Sequence, residues 1–233
     1  MAAELILIRH GHAVRVNGDY HDAPLTTLGK EQAERTAHFL NLPENHIDVL
    51  CSSPLRRTRE TASIIADIIG QPVEARRGIE EARFSEVMAL LLFELLSVSD
   101  PLDAYLRRHA GGMIHWPVEG RVSRVLLALL EQYPGQRIGV VAHAGVISAG
   151  LSWYLPGRRW HWWRTTVSNC SITRFRIEDH RARLLEVNDV RHLEPALVST
   201  QPPTQAAEVA KESHPPEKSL APQNPPEKNI LPK

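Results

Sequence analysis

The chain has 233 residues, 42% of them hydrophobic, and its 27 Lys and Arg residues balance its 27 Asp and Glu residues. This length predicts one domain, or one domain with an appendage, and the apolar content suffices for a large core. Because the formal net charge is zero, no global field favours nucleic acid or an anionic membrane, and we expect neither as a partner.

Cysteine content and apolar runs predict a cytoplasmic protein. Cys51 and Cys170 are too few for the disulfide framework of a secreted protein, and their apolar, strand-like surroundings are typical of buried free thiols. Too few apolar residues precede Arg9 for the apolar core of a signal peptide. The most apolar run, 87–98, contains Glu94 and is shorter than the ~20 residues that span a bilayer.

The first predicted element is a strand that ends on chemically active residues. Leu5 to Ile8 is a continuous run of branched apolar residues, which is typical of a strand buried on both faces of a parallel sheet. It ends at Arg9, His10 and Gly11, and ligands bind beyond the carboxyl ends of such strands. A neutral imidazole such as that of His10 is a nucleophile near pH 7, and Arg9 offers donors suited to phosphate or carboxylate. Taken alone, the pattern also fits a charged turn with a solvated histidine.

A polar loop and a helix follow this strand. The loop covers 14–23 and contains Asn17, a residue type that is common in turns. Thr26 or Thr27 is expected to cap the N-terminus of the helix, and Pro43 marks its end.

The second predicted strand, 47–51, also leads into a helix. Ser52 or Ser53 is expected to cap that helix, with Pro54 in its first turn. Arg57 lies one turn inside the helix N-terminus, where backbone N–H groups favour an anion.

The whole pattern predicts the α/β class, a three-layer sandwich with a mostly parallel central sheet, an antiparallel edge and a small helical cap insertion. Helical periodicity over 86–132 predicts the cap, and nine of the 17 prolines in the last 39 residues predict a disordered Pro-rich tail over 195–233, so the domain covers 1–194. The other expected elements are a strand (72–75), a loop with Glu80 and Glu81, a strand (137–142) before His143, a helix (145–155) and an antiparallel hairpin (171–177 and 182–187).

Several separated segments resemble the signature of one known family. Arg9-His10-Gly11 ends the first strand, the segment 51–62 follows the second, and 140–145 ends a third. With Asn17 and the Pro24-Leu25-Thr26 stretch before Gly29, these segments resemble the histidine phosphatase superfamily, which has the phosphoglycerate-mutase-like fold. The resemblance covers residues 4–193.

The resemblance implies phosphoryl transfer through a phosphohistidine formed on His10. One neutral ring nitrogen attacks a phosphomonoester, and the other, as N–H, is held by the Gly11 carbonyl. Positioning and charge stabilisation around the phosphate oxygens carry most of such catalysis. The expected donors are Arg9, Asn17, Arg57, a protonated His143 and the backbone N–H of Ala144.

One carboxyl group can protonate the leaving group and then deprotonate the attacking water. Glu81 is the predicted group because the segment 79–84 resembles the family's acid-bearing segment, and Glu80 is the competitor. Two positions depart from the family pattern: His12 stands where Glu or Gln is usual, and Ser85 replaces a customary Gly. Neither change removes a required group, although His12 is expected to affect substrate choice or the pKa of the nucleophile.

Three other functions stay open. A cofactor-dependent phosphoglycerate mutase shares the same segments, but Glu81 and His143 are only 62 positions apart (143 minus 81), and by resemblance the mutases carry a longer insertion. His10 and His12 lie on one face of a strand, as in a metal-dependent hydrolase, yet no further ligand cluster is visible. A non-catalytic phospholigand-binding module would use the same pocket. We expect a phosphatase that needs no metal or cofactor and acts on a small phosphorylated metabolite.

A tryptophan cluster surrounds residues 156–159. Its members are Trp153, Trp160, Trp162 and Trp163. A packed flap over the sheet is the favoured interpretation, and a ring-stacking platform or a homodimer contact are the alternatives.

Overall fold

The computed structural model describes residues 2–14, 23–81, 117–152, 167–178 and 181–200, all of which belong to one compact unit that runs from Met1 to Gln201. In chain order the elements are β1 (Ala3–Arg9), α1 (Thr27–Leu40), β2 (Val49–Ser52), α2 (Arg56–Ile69), β3 (Val73–Ala75), α3 (Pro117–Gln132), β4 (Arg137–Ala142), α4 (Ala144–Ser152), β5 (Ile172–Glu178), β6 (Arg181–Asp189) and a short 3-10 helix (Pro195–Leu197).

A six-stranded mixed sheet forms the centre of the domain. Its strand order is β3-β2-β4-β1-β5-β6. The pairs β3–β2, β2–β4 and β4–β1 are parallel, whereas β5 runs antiparallel to β1 and forms an antiparallel hairpin with β6. The predicted α/β class, with a mostly parallel sheet and an antiparallel edge, is therefore confirmed.

Helices cover both faces of the sheet, and alternate side chains of β1 pack against the helices on each face. Successive side chains of a strand point to opposite faces. Leu5 and Leu7 accordingly pack in a core with α3 and α4, whereas Ile6 and Ile8 pack in a second core with α1 and α2. All four side chains are buried, which explains why the run is continuously apolar.

The capping residues were predicted correctly for one helix and wrongly for the next. Thr26 caps α1, and its hydroxyl accepts the backbone N–H of Gly29 at 3.1 Å. At α2 the N-cap is Leu55, which makes no side-chain cap bond. The prediction that Ser52 or Ser53 caps α2 is wrong because the cap position falls at Leu55. The Ser52 hydroxyl donates to the Ser53 carbonyl, and Ser53 Oγ bonds to a histidine ring and accepts the N–H of Leu55 at 3.5 Å.

At two of the predicted boundaries, residues assigned to the cap insertion or to the tail pack against the rest of the domain. Residues 117–132 of the predicted cap insertion form α3, whose Val122 and Leu126 are buried against the sheet, while the remainder of that insertion lies outside the described residues. Residues 195–200 of the predicted tail pack on α1, where Leu197 is buried with Ala33. Composition could not indicate this contact, because these six residues begin a tail that is otherwise rich in proline and polar residues.

Both cysteines are found in the state that the sequence predicts. Cys51 and Cys170 are both free and buried, and burial raises the pKa of the Cys170 thiol to about 12.

None of the helices in the described ranges combines the length and the apolarity needed to cross a bilayer.

Candidate active site

Three parallel strands end at the same edge of the sheet and bring the predicted site residues together. His10 follows β1, His143 follows β4, and Ser53 follows β2, while Arg57 lies in the first turn of α2. Because β2, β4 and β1 are neighbours in the sheet, their carboxyl ends meet at one point. All four side chains are buried, with at most 1% of their surface exposed.

Arg57 bridges the two histidines. Its Nε donates to Nε2 of His10 at 3.2 Å, and its Nη2 donates to Nδ1 of His143 at 3.1 Å. A guanidinium only donates, so both ring nitrogens accept and each ring carries its proton on the other nitrogen. His10 Nδ1 therefore donates to the Gly11 carbonyl at 2.8 Å, and His143 Nε2 donates to Ser53 Oγ at 2.9 Å. The two ring centroids lie 5.3 Å apart.

Burial keeps both rings neutral. Burial is the main cause that lowers the pKa of His10 well below its usual value, and Arg9 and Arg57 add to the effect. For His143 burial is again the first cause, followed by the charge of Arg57. Arg57 supplies the positive charge beside this buried ring, and a protonated His143 as a donor to a bound phosphate stays a prediction.

Arg9 contributes charge to the site from the end of β1. Its side chain is 6% exposed, and its Nη1 donates a short hydrogen bond to the Val167 carbonyl. Its charge lowers the pKa values of His10, His12 and His143, so its field reaches all three rings. A second fixed cation thus stands beside Arg57 at this edge of the sheet.

The two glutamates of the 79–84 segment have different partners. Oε1 of Glu81 accepts the backbone N–H of Gly145 at 3.1 Å, which places this carboxyl group at the start of α4, two residues after His143 in the chain. Glu80 instead accepts the backbone N–H of Gly78 at 2.7 Å and the guanidinium of Arg121 at 3.2 Å. Glu81 thus bonds to the helix that follows His143, whereas Glu80 bonds to the loop at Gly78 and to α3.

Two other expectations concern Asn17 and the His-x-His pair. Asn17 lies outside the described residues. His12 Nδ1 lies 2.9 Å from Thr26 Oγ1, whereas His10 bonds to the Gly11 carbonyl and to Arg57, so the two rings share no partner in these bonds. Within the part of the chain that the structure describes, no group of three His, Cys, Asp or Glu side chains is arranged to hold a metal ion.

Sequence reasoning missed four residues that hold the site. Ser53 was interpreted only as a helix cap. Thr61 accepts the N–H of Gly11 at 3.1 Å, and its position one turn after Arg57 on the same helix face was a usable signal. Gln32 and Asn169 bond to the backbone of the His10–His12 turn, and nothing local in the sequence marks either of them.

Comparison with known proteins identifies one family. The family model described as "Histidine phosphatase superfamily (branch 1)" matches residues 5–190. The chain is 29% identical to phosphoglycerate mutase-like protein 4 of Arabidopsis thaliana over 82% of this chain and 87% of the relative. It is 28% identical to a probable phosphoglycerate mutase of Salmonella paratyphi C, over 85% of this chain and 99% of the relative.

Solved structures share the fold at lower identity. Phosphoserine phosphatase of Entamoeba histolytica, crystallised with 3-phosphoglyceric acid, superposes with a TM-score of 0.61 at 24% identity, covering 82% of this chain and all of that one. A mycobacterial glucosyl-3-phosphoglycerate phosphatase superposes with a TM-score of 0.59 at 22% identity, covering 81% of this chain and 99% of that one. Phosphatases and mutase-like proteins thus occur side by side among the similar proteins.

Proposed function

This chain belongs to the histidine phosphatase superfamily (branch 1), and from that premise we propose that it hydrolyses a small phosphomonoester through a phosphohistidine formed on His10. The single observation that carries the proposal is the neutral His10 ring, held between the Gly11 carbonyl and the guanidinium of Arg57. An imidazole with one nitrogen fixed as N–H has its lone pair on the other, which is what a nucleophile at phosphorus requires.

Positive and donor groups beside His10 suit a phosphate dianion. Arg57 and Arg9 bring fixed charge, and the start of α4 brings the backbone N–H of Ala144. Phosphoryl transfer depends mainly on such positioning and charge stabilisation. We infer that an arriving dianion draws Arg57 from the ring nitrogens to its oxygens and allows His143 to take up a proton. Asn17 stays a prediction.

Glu81 is the proposed proton carrier. In the first step its carboxylic acid protonates the leaving alkoxide while the bond from His10 to phosphorus forms and the ester P–O bond breaks. In the second step the resulting carboxylate takes a proton from water, whose oxygen bonds to phosphorus while the P–N bond to His10 breaks. Inorganic phosphate leaves, and the neutral His10 ring and the protonated Glu81 are restored. The bond from Gly145 to the carboxylate supports this role because it holds Glu81 beside Ala144.

A phosphoglycerate mutase is the second candidate, favoured by the names of two relatives. Such an enzyme must hold its phosphohistidine without losing the phosphate to water. Incubation with 3-phosphoglycerate, with and without 2,3-bisphosphoglycerate, separates the two functions. The formation of 2-phosphoglycerate without free phosphate would overturn the phosphatase proposal. Chelator-sensitive turnover would favour the metal-dependent alternative instead.

A phosphomonoester panel tests the proposal directly. The wild-type protein is incubated with sugar phosphates, phosphoglycerates, phosphoserine and an aryl phosphate, and released phosphate is measured. We expect His10→Ala to lower kcat at least about a thousandfold. His38→Ala is the matched control, because His38 is exposed on α1. Equal activity of the His10→Ala variant and the wild type would end the proposal.

A second comparison separates the two glutamates. We expect Glu81→Gln to lower kcat roughly a hundredfold or more on an alkyl phosphate, because the leaving group then lacks its acid. An activated aryl phosphate should suffer less, since its leaving group needs no proton. Glu80→Gln is the control, and it should retain the wild-type ratio between the two substrates. The reverse pattern would move the proton-carrier role to Glu80.

A further inference from the structure

The two peptide groups that flank Gly11 are hydrogen-bonded at both ends. The peptide between His10 and Gly11 accepts from Asn169 Nδ2 at 3.0 Å and donates to Thr61 Oγ1 at 3.1 Å. The peptide between Gly11 and His12 has its oxygen on His10 Nδ1 and donates its N–H to Gln32 Oε1 at 2.8 Å. Any rotation of this second peptide carries the Gly11 oxygen away from the ring that it orients.

The two amide side chains that hold these peptides meet at a residue near the end of the described chain. Gln32 Nε2 donates to Ser199 Oγ at 2.8 Å and to the Leu197 carbonyl at 2.6 Å. The Ser199 hydroxyl in turn donates to Asn169 Oδ1 at 3.1 Å. The backbone N–H of Asn169 also donates to the Ser199 carbonyl at 2.9 Å. Ser199 therefore links both supports of the turn.

The direction of every bond in this network is determined. The side-chain oxygen of Gln32 faces the N–H of His12, so its amide nitrogen must face Ser199, whose hydroxyl then has its proton left for Asn169. That leaves the Asn169 amide nitrogen for the His10 carbonyl. Reversing either amide would set donor against donor or acceptor against acceptor. Because Gln32 and Asn169 are fully buried, such a mismatch could not be relieved by water.

We propose that the segment 195–200, acting through Ser199, is a positioning element of the active site. It holds the amides of Gln32 and Asn169, and they hold the peptides that orient the His10 ring. The inference rests on the proposed function only for its kinetic consequence. The 3-10 helix at Pro195–Leu197 and the buried Leu197 side chain fix the segment on the domain. Loss of the Ser199 hydroxyl removes the donor to the buried Asn169 Oδ1 and one of the two acceptors of the Gln32 amide nitrogen, which keeps only the Leu197 carbonyl, and the turn relaxes.

The test compares substitutions at Ser199 in the full chain. We expect Ser199→Ala to lower kcat roughly tenfold, with a smaller change in KM, because a misplaced nucleophile slows chemistry more than binding. Ser199→Thr keeps a hydroxyl and should restore activity. Thr200→Ala is the matched control, since the next residue is exposed. If Ser199→Ala does not fold, Ser199→Cys takes its place, with a weaker hydrogen-bonding group at the same position.

A second readout does not depend on turnover. In protein labelled with ¹⁵N-histidine, the Nδ1–H of His10 should give a slowly exchanging signal, assigned by its absence in His10→Ala. We expect this signal to weaken in Ser199→Ala and to return in Ser199→Thr. A wild-type signal and a wild-type kcat in Ser199→Ala would overturn the inference. A wild-type protein that releases no phosphate would instead overturn the proposed function, and the ¹⁵N signals would still decide the role of Ser199.

Discussion

Arg57 has two roles at the scale of single residues. It donates to both histidines from a position inside α2, and its charge helps to lower the pKa values of both rings. The two bonds leave from different nitrogens of one planar group, Nε and Nη2. A lysine has a single charged nitrogen on a flexible stem and cannot reproduce this fixed fork. Arginine at this position therefore sets the geometry and the protonation state of the site together.

We expect Arg57→Lys to lower kcat on an aryl phosphate roughly a hundredfold. The lysine would keep a positive charge but could not orient both rings. Arg59→Lys is the matched control, because Arg59 is an exposed residue of the same helix. Steady-state kinetics of the two variants makes the comparison, and a wild-type kcat in Arg57→Lys would show that charge alone is sufficient.

The two buried imidazoles should make the protein less stable in mild acid. The pKa values of His10 and His143 lie well below the ordinary value of 6.5, so the folded protein keeps both rings neutral where the unfolded chain binds protons. Their contribution is fully present above that value and is lost as the pH falls below it. The slope is at most about 1.4 kcal/mol per pH unit for each ring.

Urea unfolding between about pH 5 and pH 7.5 measures this slope. We expect the free energy of unfolding of His143→Gln to depend less on pH than that of the wild type, by up to one ring's share. His38→Gln, which changes an exposed histidine of α1, should keep the wild-type slope. Equal slopes for the wild type and His143→Gln would show that His143 is not held neutral by the fold.

At the scale of elements, the first turn of α1 lies closely against the turn that contains Gly11 and His12. A Cβ built on Gly29 would lie 2.1 Å from the His12 carbonyl oxygen, and one built on Gly11 would lie 2.4 Å from the Gly29 oxygen. Thr26 Oγ1 also lies 2.9 Å from Nδ1 of His12. The first turn of α1 thus contacts the Gly11–His12 turn directly, and Gly29 allows the two backbones to approach closely.

Gly29→Ala separates two opposing effects. Helix propensity alone predicts a gain of about 1 kcal/mol, because alanine is the better helix former. The added methyl group, however, meets backbone atoms that cannot rotate away, and we expect a net loss of about 1–3 kcal/mol together with a lower kcat. Thermal unfolding and turnover give the two readouts. Lys30→Ala, at the exposed neighbouring position, should leave both unchanged, and a stabilised Gly29→Ala would show that the turn can move aside.

Elements whose signals are local were predicted well. The Thr26 cap, the apolar β1 run and the β5–β6 hairpin all depend on patterns within a few residues, and each was found. The prediction of a serine cap on α2 was wrong because the side chains of Ser52 and Ser53 have other hydrogen-bond partners. Ser53 is 90 positions from His143, and only the parallel pairing of β2 with β4 brings its hydroxyl to that ring.

At the scale of the whole molecule, the positively charged side chains of Arg9 and Arg57 come from distant parts of the chain and lie at one edge of the sheet. Inorganic phosphate should therefore bind and stabilise the folded protein. At ten times its Kd, phosphate contributes about 1.4 kcal/mol, which raises Tm by roughly 3–6 °C for a domain of this size. Chloride at equal ionic strength is the control for salt effects. A Tm shift in phosphate that matches the shift in chloride would contradict an anion site.

The sequence by itself determined the order of strands and helices, the family and the residues that stand at strand ends, because these follow from periodicity and from short contiguous segments. The tertiary structure alone decided that burial and Arg57 lower the pKa of His143 and that Ser53 does not cap α2. It also brought Gln32, Asn169 and Ser199 together. Protonation and buried hydrogen bonds depend on which distant groups exclude water from a site, and that proximity is a property of the folded chain.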